Sequence, residues 1–89
     1  METIHLLITG KVQGVFFRAI AKDVADEAGV KGWVKNTDDG KVEIVASGTK
    51  EQLNHFVEWC RKGPKRAVVS KVEHHEIEYQ AFANFQIVR

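Results

Sequence analysis

At 89 residues, 44% of them hydrophobic and 28% charged, the chain has enough apolar surface for one core and too little for two, so a single domain over residues 1–89 is expected. Its 13 basic and 12 acidic side chains leave a formal charge of +1, which excludes a global basic field for nucleic acid and makes any anion site local. No apolar run approaches the ~20 residues that cross a bilayer, and the opening "METIHLLITG" lacks the parts of a secretory signal, so a cytoplasmic protein with no membrane contact is expected.

The segment "TIHLLIT" (3–9) is rich in β-formers and apolar on both faces, which predicts a strand in the middle of a sheet. From Phe17 the set Phe17, Ile20, Ala21, Val24 and Ala28 has helical spacing, and Gly29 supplies a left-handed stop. "VKGWVKN" and "KVEIVAS" flank Thr37-Asp38-Asp39-Gly40, whose Asp-Gly step predicts a tight hairpin, with Val42, Ile44 and Ala46 on one face. Thr49 and Gln52 resemble a capping box for a second helix, whose stripe is Leu53, Phe56, Val57 and Cys60 and whose end is Gly63-Pro64.

After the basic turn "KGPKRA", "VVSKVEHHEIEY" and "FANFQIVR" read as strands, with Phe85 and Ile87 in one phase. The order is βαββαβ with a short extra C-terminal strand. It predicts an α+β fold of the ferredoxin-like kind, a sandwich with two helices on one face of a mainly antiparallel sheet.

The first strand-to-helix turn, "GKVQGVFFRA" from Gly10, is the candidate site. A helix N-terminus presents unpaired N–H groups and a positive dipole end, so it attracts anions. Gly10 and Gly14 allow the backbone to curl into a concave run of amides, and Arg18 adds a guanidinium that can grip two phosphate oxygens at once. Phe16 and Phe17 are expected to brace the loop, Phe17 from inside the core. A plain glycine-containing turn with a solvated arginine fits the same spacing, so spacing alone leaves both readings open.

"TGKVQGVFFR" resembles the first signature of the acylphosphatase family, G-x-V-Q-G-V-x-F-R. "GWVKNTDDGKVEIVASG" resembles the second, G-W-V-x-N-x-x-x-G-x-V followed by a later glycine. The likeness runs from the first strand to the closing "FANFQIVR". It implies a metal-independent hydrolase that cleaves the carboxyl–phosphate bond of acyl phosphates, a class of hydrolases acting on acid anhydrides, and that needs no cofactor. Matched residue by residue, it implies a phosphate cradle from Gly10, Lys11, Val12, Gln13, Gly14, Val15 and Phe16, with Arg18 on the phosphate and Asn36 holding the attacking water. The partners it implies are a small acyl phosphate and inorganic phosphate, as product or competitive inhibitor, with the chain acting as a monomer.

Two side chains suffice for such a reaction. The leaving carboxylate has a conjugate acid of pKa about 4 to 5, so it departs unprotonated at neutral pH. Phosphoryl transfer is otherwise a matter of positioning and charge stabilisation. Phosphomonoesters, which expel a far more basic alkoxide, are expected to react poorly. Nothing in the sequence is visibly placed to read the acyl group, so broad acyl tolerance is expected.

Other residues have plainer readings. Asn36 by type and place alone fits a turn residue bonding local backbone. The side chains of Lys11 and Lys35 read as solvated surface lysines. His74 and His75 are adjacent in a strand, point to opposite faces and cannot chelate one metal. His5 and His55 have no ligand spacing, and Cys60, the one cysteine, reads as a small buried hydrophobe without a disulfide partner. Trp33 and Trp59 read as packing residues. Lys62, Lys65 and Arg66 form a solvated basic turn. An RNA-recognition module shares the βαββαβ order, but "HLLIT" and "VEIVA" offer no aromatic platform for bases. A closer alternative is the acylphosphatase-like domain of hydrogenase-maturation proteins that handle carbamoyl phosphate, yet this sequence carries no zinc-finger or transferase region.

Overall fold

Side chains of a strand point alternately to its two faces, and in the first strand Ile4, Leu6 and Ile8 fall on one of them. The computed structural model, which describes residues 1–89, buries that face. The elements run β1 (Glu2–Lys11), α1 (Phe17–Ala28), β2 (Lys31–Asn36), β3 (Val42–Gly48), α2 (Lys50–Lys62), β4 (Val68–Ile77) and β5 (Phe85–Val88). The sheet order is β4-β1-β3-β2-β5, antiparallel at every pair except β2 with β5. The inward faces of the strands and the stripes of both helices form a single core cluster, so the helices cover one side of the sheet. The fold is ferredoxin-like, with the extra C-terminal strand on the β2 edge.

Helix α1 buries Phe17, Ala21 and Ala25, a line at i, i+4 and i+8. The two alanines bring this helix close to the sheet, and Ile20, expected in the stripe, is left half-buried on its flank. Gly29 ends the helix at φ 80°, its N–H shared between the carbonyls of Ala25 and Asp26. In α2 the reciprocal cap is complete: the Gln52 amide N–H donates to Thr49 Oγ1 at 3.1 Å, and the Thr49 N–H to Gln52 Oε1 at 2.9 Å. Phe56 meets the edge of Phe85 at 5.7 Å between ring centres, and Trp59 lies 5.2 Å from Phe17, which seats the start of α1 on α2. Cys60 sits fully buried on the same stripe, and burial pushes its thiol well above the ordinary range.

The other side of the sheet differs from expectation. The middle strand is β3, and β1, one place off centre, has a single core face, with His5 and Leu7 half-buried on the far side. Thr3 and Ser47 on that far side are nevertheless buried. The reason is topological: β4 and β5 are opposite edges, so the segment between Ile77 and Phe85 has to cross the sheet. It crosses over these two residues. Ser47 Oγ donates to the Gln80 carbonyl at 2.7 Å, the Gln80 N–H donates to Thr3 Oγ1 at 2.8 Å, and the two hydroxyls bond each other at 2.6 Å. The strands predicted to reach Tyr79 and to start from Phe82 are shortened accordingly.

Thr3→Val keeps the shape but removes the hydroxyl's bonds to Ser47 Oγ and the Gln80 N–H, while Ser47 keeps its bond to the Gln80 carbonyl. It is expected to lower stability by about 1–3 kcal/mol in urea unfolding, and an unchanged midpoint would show that the crossing segment is not held there. Cys60 is expected to react with a thiol reagent only as fast as the chain unfolds globally; fast labelling of the native protein would contradict its burial.

Candidate active site

Between Thr9 and Gly10 the register of β1 against β4 slips, a bulge. Gly10 has φ 138°, and a Cβ there would lie 2.1 Å from the Val68 carbonyl oxygen, so only glycine passes at this point. The chain leaves the sheet, turns again at Gly14 (φ 73°), and enters α1 through Phe16 at φ 64°. Phe16 is the only non-glycine residue with positive φ, a conformation that costs roughly 1–2 kcal/mol. Its ring is 69% exposed, so burial does not offset that cost, and the expected brace comes from Phe17 alone.

No side chain caps this helix, and its first turn contains no acidic residue. The first hydrogen bond into the helix is from Ile20 N–H to the Phe16 carbonyl at 3.1 Å. The amides of Gly14, Val15, Phe16, Phe17, Arg18 and Ala19 therefore have no acceptor within the protein.

A hollow of about 330 Å³ opens at this turn. Val12, Gly14 and Phe16 line it from the loop, Phe17, Arg18 and Ala19 from the first helical turn, and Asn36 from the end of β2. Arg18 and Asn36, half-buried and on different elements, thus share one cavity. Arg18 has no carboxylate partner. Asn36 Oδ1 is buried and accepts from nothing, a situation that costs about 1–3 kcal/mol unless a ligand or solvent group fills it.

The position of Asn36 is set from both sides. Its backbone pairs with Val42. The following turn is stapled by Thr37, whose N–H donates to the Lys41 carbonyl, whose Oγ1 accepts from the Lys41 N–H, both at 2.9 Å, and whose hydroxyl donates to the Asp39 carboxylate. That hydroxyl bond holds the exposed Asp39 carboxyl below its ordinary pKa. Gln13 Nε2 donates to the carbonyls of Thr37 and Lys41 at 2.8 and 2.9 Å, tying the loop to the hairpin.

Of the expected cradle, Val12, Gly14, Phe16 and Arg18 face the hollow together with Asn36, whereas Gly10, Lys11, Gln13 and Val15 do not line it. Gly10 makes the bulge, Lys11 lies opposite Val68 with its side chain exposed, Gln13 points to the hairpin and Val15 is in the core. Lys35 is on the outer face, 3.7 Å from Glu43 and over the Trp33 ring. The lining contributed by Ile87 and Arg89 was not foreseen, because a parallel terminal strand has no tight turn to announce its register.

The acylphosphatase family model matches residues 4–87. The chain belongs to the acylphosphatase family. It is similar to an acylphosphatase of Marinobacter nauticus, 51% identical over 83 residues that cover 92% of this chain and 90% of that protein. Among solved structures it is similar to the acylphosphatase from Bacillus subtilis, at a TM-score of 0.97 and 37% identity with both chains fully covered. It is also similar to an acylphosphatase from Coxiella burnetii, at a TM-score of 0.95 and 40% identity over 98% of this chain and 92% of that one. The likeness to these family members spans both the loop and the hairpin.

If the left-handed turn at Phe16 is strained, Phe16→Asn, which tolerates that conformation better, is expected to hold or raise stability by up to about 1 kcal/mol. A loss of similar size in thermal unfolding would show that the exposed ring, and not the backbone, matters there.

Proposed function

We propose that this chain hydrolyses the carboxyl–phosphate bond of acyl phosphates, with the loop amides and Arg18 binding the phosphoryl group and Asn36 orienting the attacking water. The single observation that carries the reading is that Asn36, from the end of β2, shares one hollow with an unpaired guanidinium and the helix N-terminus with its free amides. A water held by the Asn36 carboxamide would have a lone pair directed into the hollow, toward a phosphorus held at the helix N-terminus.

Negative charge on the non-bridging oxygens is met by N–H donors that are already in place, so little reorganisation is needed as the transition state forms. Arg18 adds a fixed charge and planar geometry. The bond from phosphorus to the bridging oxygen breaks with its electron pair leaving on the carboxylate, while water oxygen bonds to phosphorus. The water's proton passes to the phosphoryl oxygens, and carboxylate and inorganic phosphate depart. The carboxylate needs no general acid, and none of the lining side chains is an acid. Gln13 contributes by holding the two halves in register, and Gly10 by letting the loop pass β4.

On this reading inorganic phosphate competes for the same cradle, no cofactor takes part, and the chain works as a monomeric single domain in the cytoplasm. No helix is long and apolar enough to cross a membrane.

Arg18→Ala and Asn36→Ala are each expected to lower kcat/KM for acetyl or benzoyl phosphate by at least about 10²–10³, the usual loss for one preorganised donor. Asn36→Ala is expected to do so without loss of stability, because it removes a buried group that has no partner. Near-normal turnover by either folded variant would defeat the proposal.

A further inference from the structure

On the face of the sheet away from the helices, antiparallel pairing of β1 with β4 sets His5 directly opposite His75. Their ring centres are 5.3 Å apart and their planes are tilted by 38°. On the other side of β1, Glu43 of β3 stands diagonal to His5, and its Oε2 is 2.7 Å from His5 Nε2. The hollow is on the helix side and includes none of these residues. Neither histidine has a neighbour at ligand spacing in the sequence; the sheet register supplies one for each.

A carboxylate only accepts, so Nε2 of His5 carries the hydrogen of its bond to Glu43, and in the neutral ring Nδ1 keeps its lone pair. The two nitrogens of an imidazole diverge. With Nε2 aimed at β3, the bare Nδ1 turns to the opposite side of β1, where His75 stands. His75 is exposed, and its nitrogens enter no hydrogen bond or ion pair. A metal ~2.1 Å from one nitrogen of each ring lies about 3.2 Å from each ring centre, and tetrahedral bonds then put the centres roughly 5.2 Å apart. The observed separation matches. Metal-ligating histidines commonly pass their other N–H to a carboxylate, which fixes the tautomer and makes the free nitrogen more basic. Glu43 already does this, and Lys35 holds its other oxygen at 3.7 Å.

We infer that His5 and His75 form a two-nitrogen binding site for a divalent transition-metal ion, with Glu43 orienting His5 from behind. Imidazole suits ions such as Cu²⁺, Ni²⁺ and Zn²⁺, whereas Mg²⁺ and Ca²⁺ take oxygen ligands. No group of three His, Cys, Asp or Glu side chains could hold a metal ion, so the protein supplies two ligands and water completes the shell. With half the ligands of a closed structural site, the Kd for Zn²⁺ is on the order of 1–100 µM. The bound ion ties the edge strand β4 to β1 across the exposed face.

Zn²⁺ titration of the intact chain, followed by calorimetry and by the imidazole resonances of the four histidines, tests the site. A single ion is expected, with shifts concentrated at His5 and His75 and a Tm about 5–10 °C higher at ten times the Kd. His5→Gln and His75→Gln each weaken binding at least about tenfold, and the double substitution adds little, because a chelate fails when either ligand is lost. Glu43→Ala weakens it about tenfold, as removal of an orienting carboxylate does. His74→Gln, on the opposite face of β4, keeps the native affinity, and excess Mg²⁺ does not displace the ion.

No saturable Zn²⁺ binding below about 1 mM overturns the inference. So does an unchanged affinity in His75→Gln, which replaces an exposed side chain and carries the test alone if His5→Gln does not fold. Losses that simply add in the double variant would mean two separate weak sites, and displacement by Mg²⁺ would put the ion on carboxylates; either result overturns it. Native affinity in Glu43→Ala would remove Glu43 from the site.

Discussion

Six consecutive residues from Gly14 to Ala19 offer backbone N–H groups that the protein leaves without acceptors, and the rest of the site is arranged around them. Such an array disfavours a cation and favours an anion, since each donor is unpaired and the positive end of the helix dipole lies at the same place. Two backbone features create it. Gly10 lets the chain leave β1 in close contact with the Val68 carbonyl, and the left-handed residues Gly14 and Phe16 turn it into α1 without a side-chain cap.

The cost of this arrangement is local and the support for it lies next door. An exposed phenylalanine at positive φ and a buried carboxamide oxygen without a donor are each unfavourable by a kcal/mol or more. Directly beneath them Phe17 packs on Trp59, Val12 and Val15 are buried, and Gln13 bolts the loop to the Thr37–Lys41 turn. Strained residues held by a rigid surround are what a preorganised anion site requires, because donors that need not move lose nothing when charge develops.

What could be read from the sequence was what short-range physics determines. The alternation of Val42, Ile44 and Ala46, the Gly29 stop, and the cap between Thr49 and Gln52 each depend on residues a few positions apart, and all three are as expected. Arg18 and Asn36 were singled out through two motifs, and the structure brings them to one hollow. Features set by long-range register were not legible. The crossing of Gln80 over Thr3 and Ser47 follows from β4 and β5 being opposite edges, and Arg89 reaches the hollow only because β5 runs parallel to β2. Gln13 was placed in the cradle by its match to the first signature. Its side chain instead meets two carbonyls of the hairpin, a partner 24 and 28 positions away.

The central claim concerns the free amides, and nuclear magnetic resonance of the native protein titrated with inorganic phosphate addresses it directly. Saturable shifts of the amide resonances of residues 14–19, with slower solvent exchange and a concerted shift of the Arg18 Nε–H, are the result the account predicts. Phosphate that saturates the protein while those amides stay unmoved would contradict it.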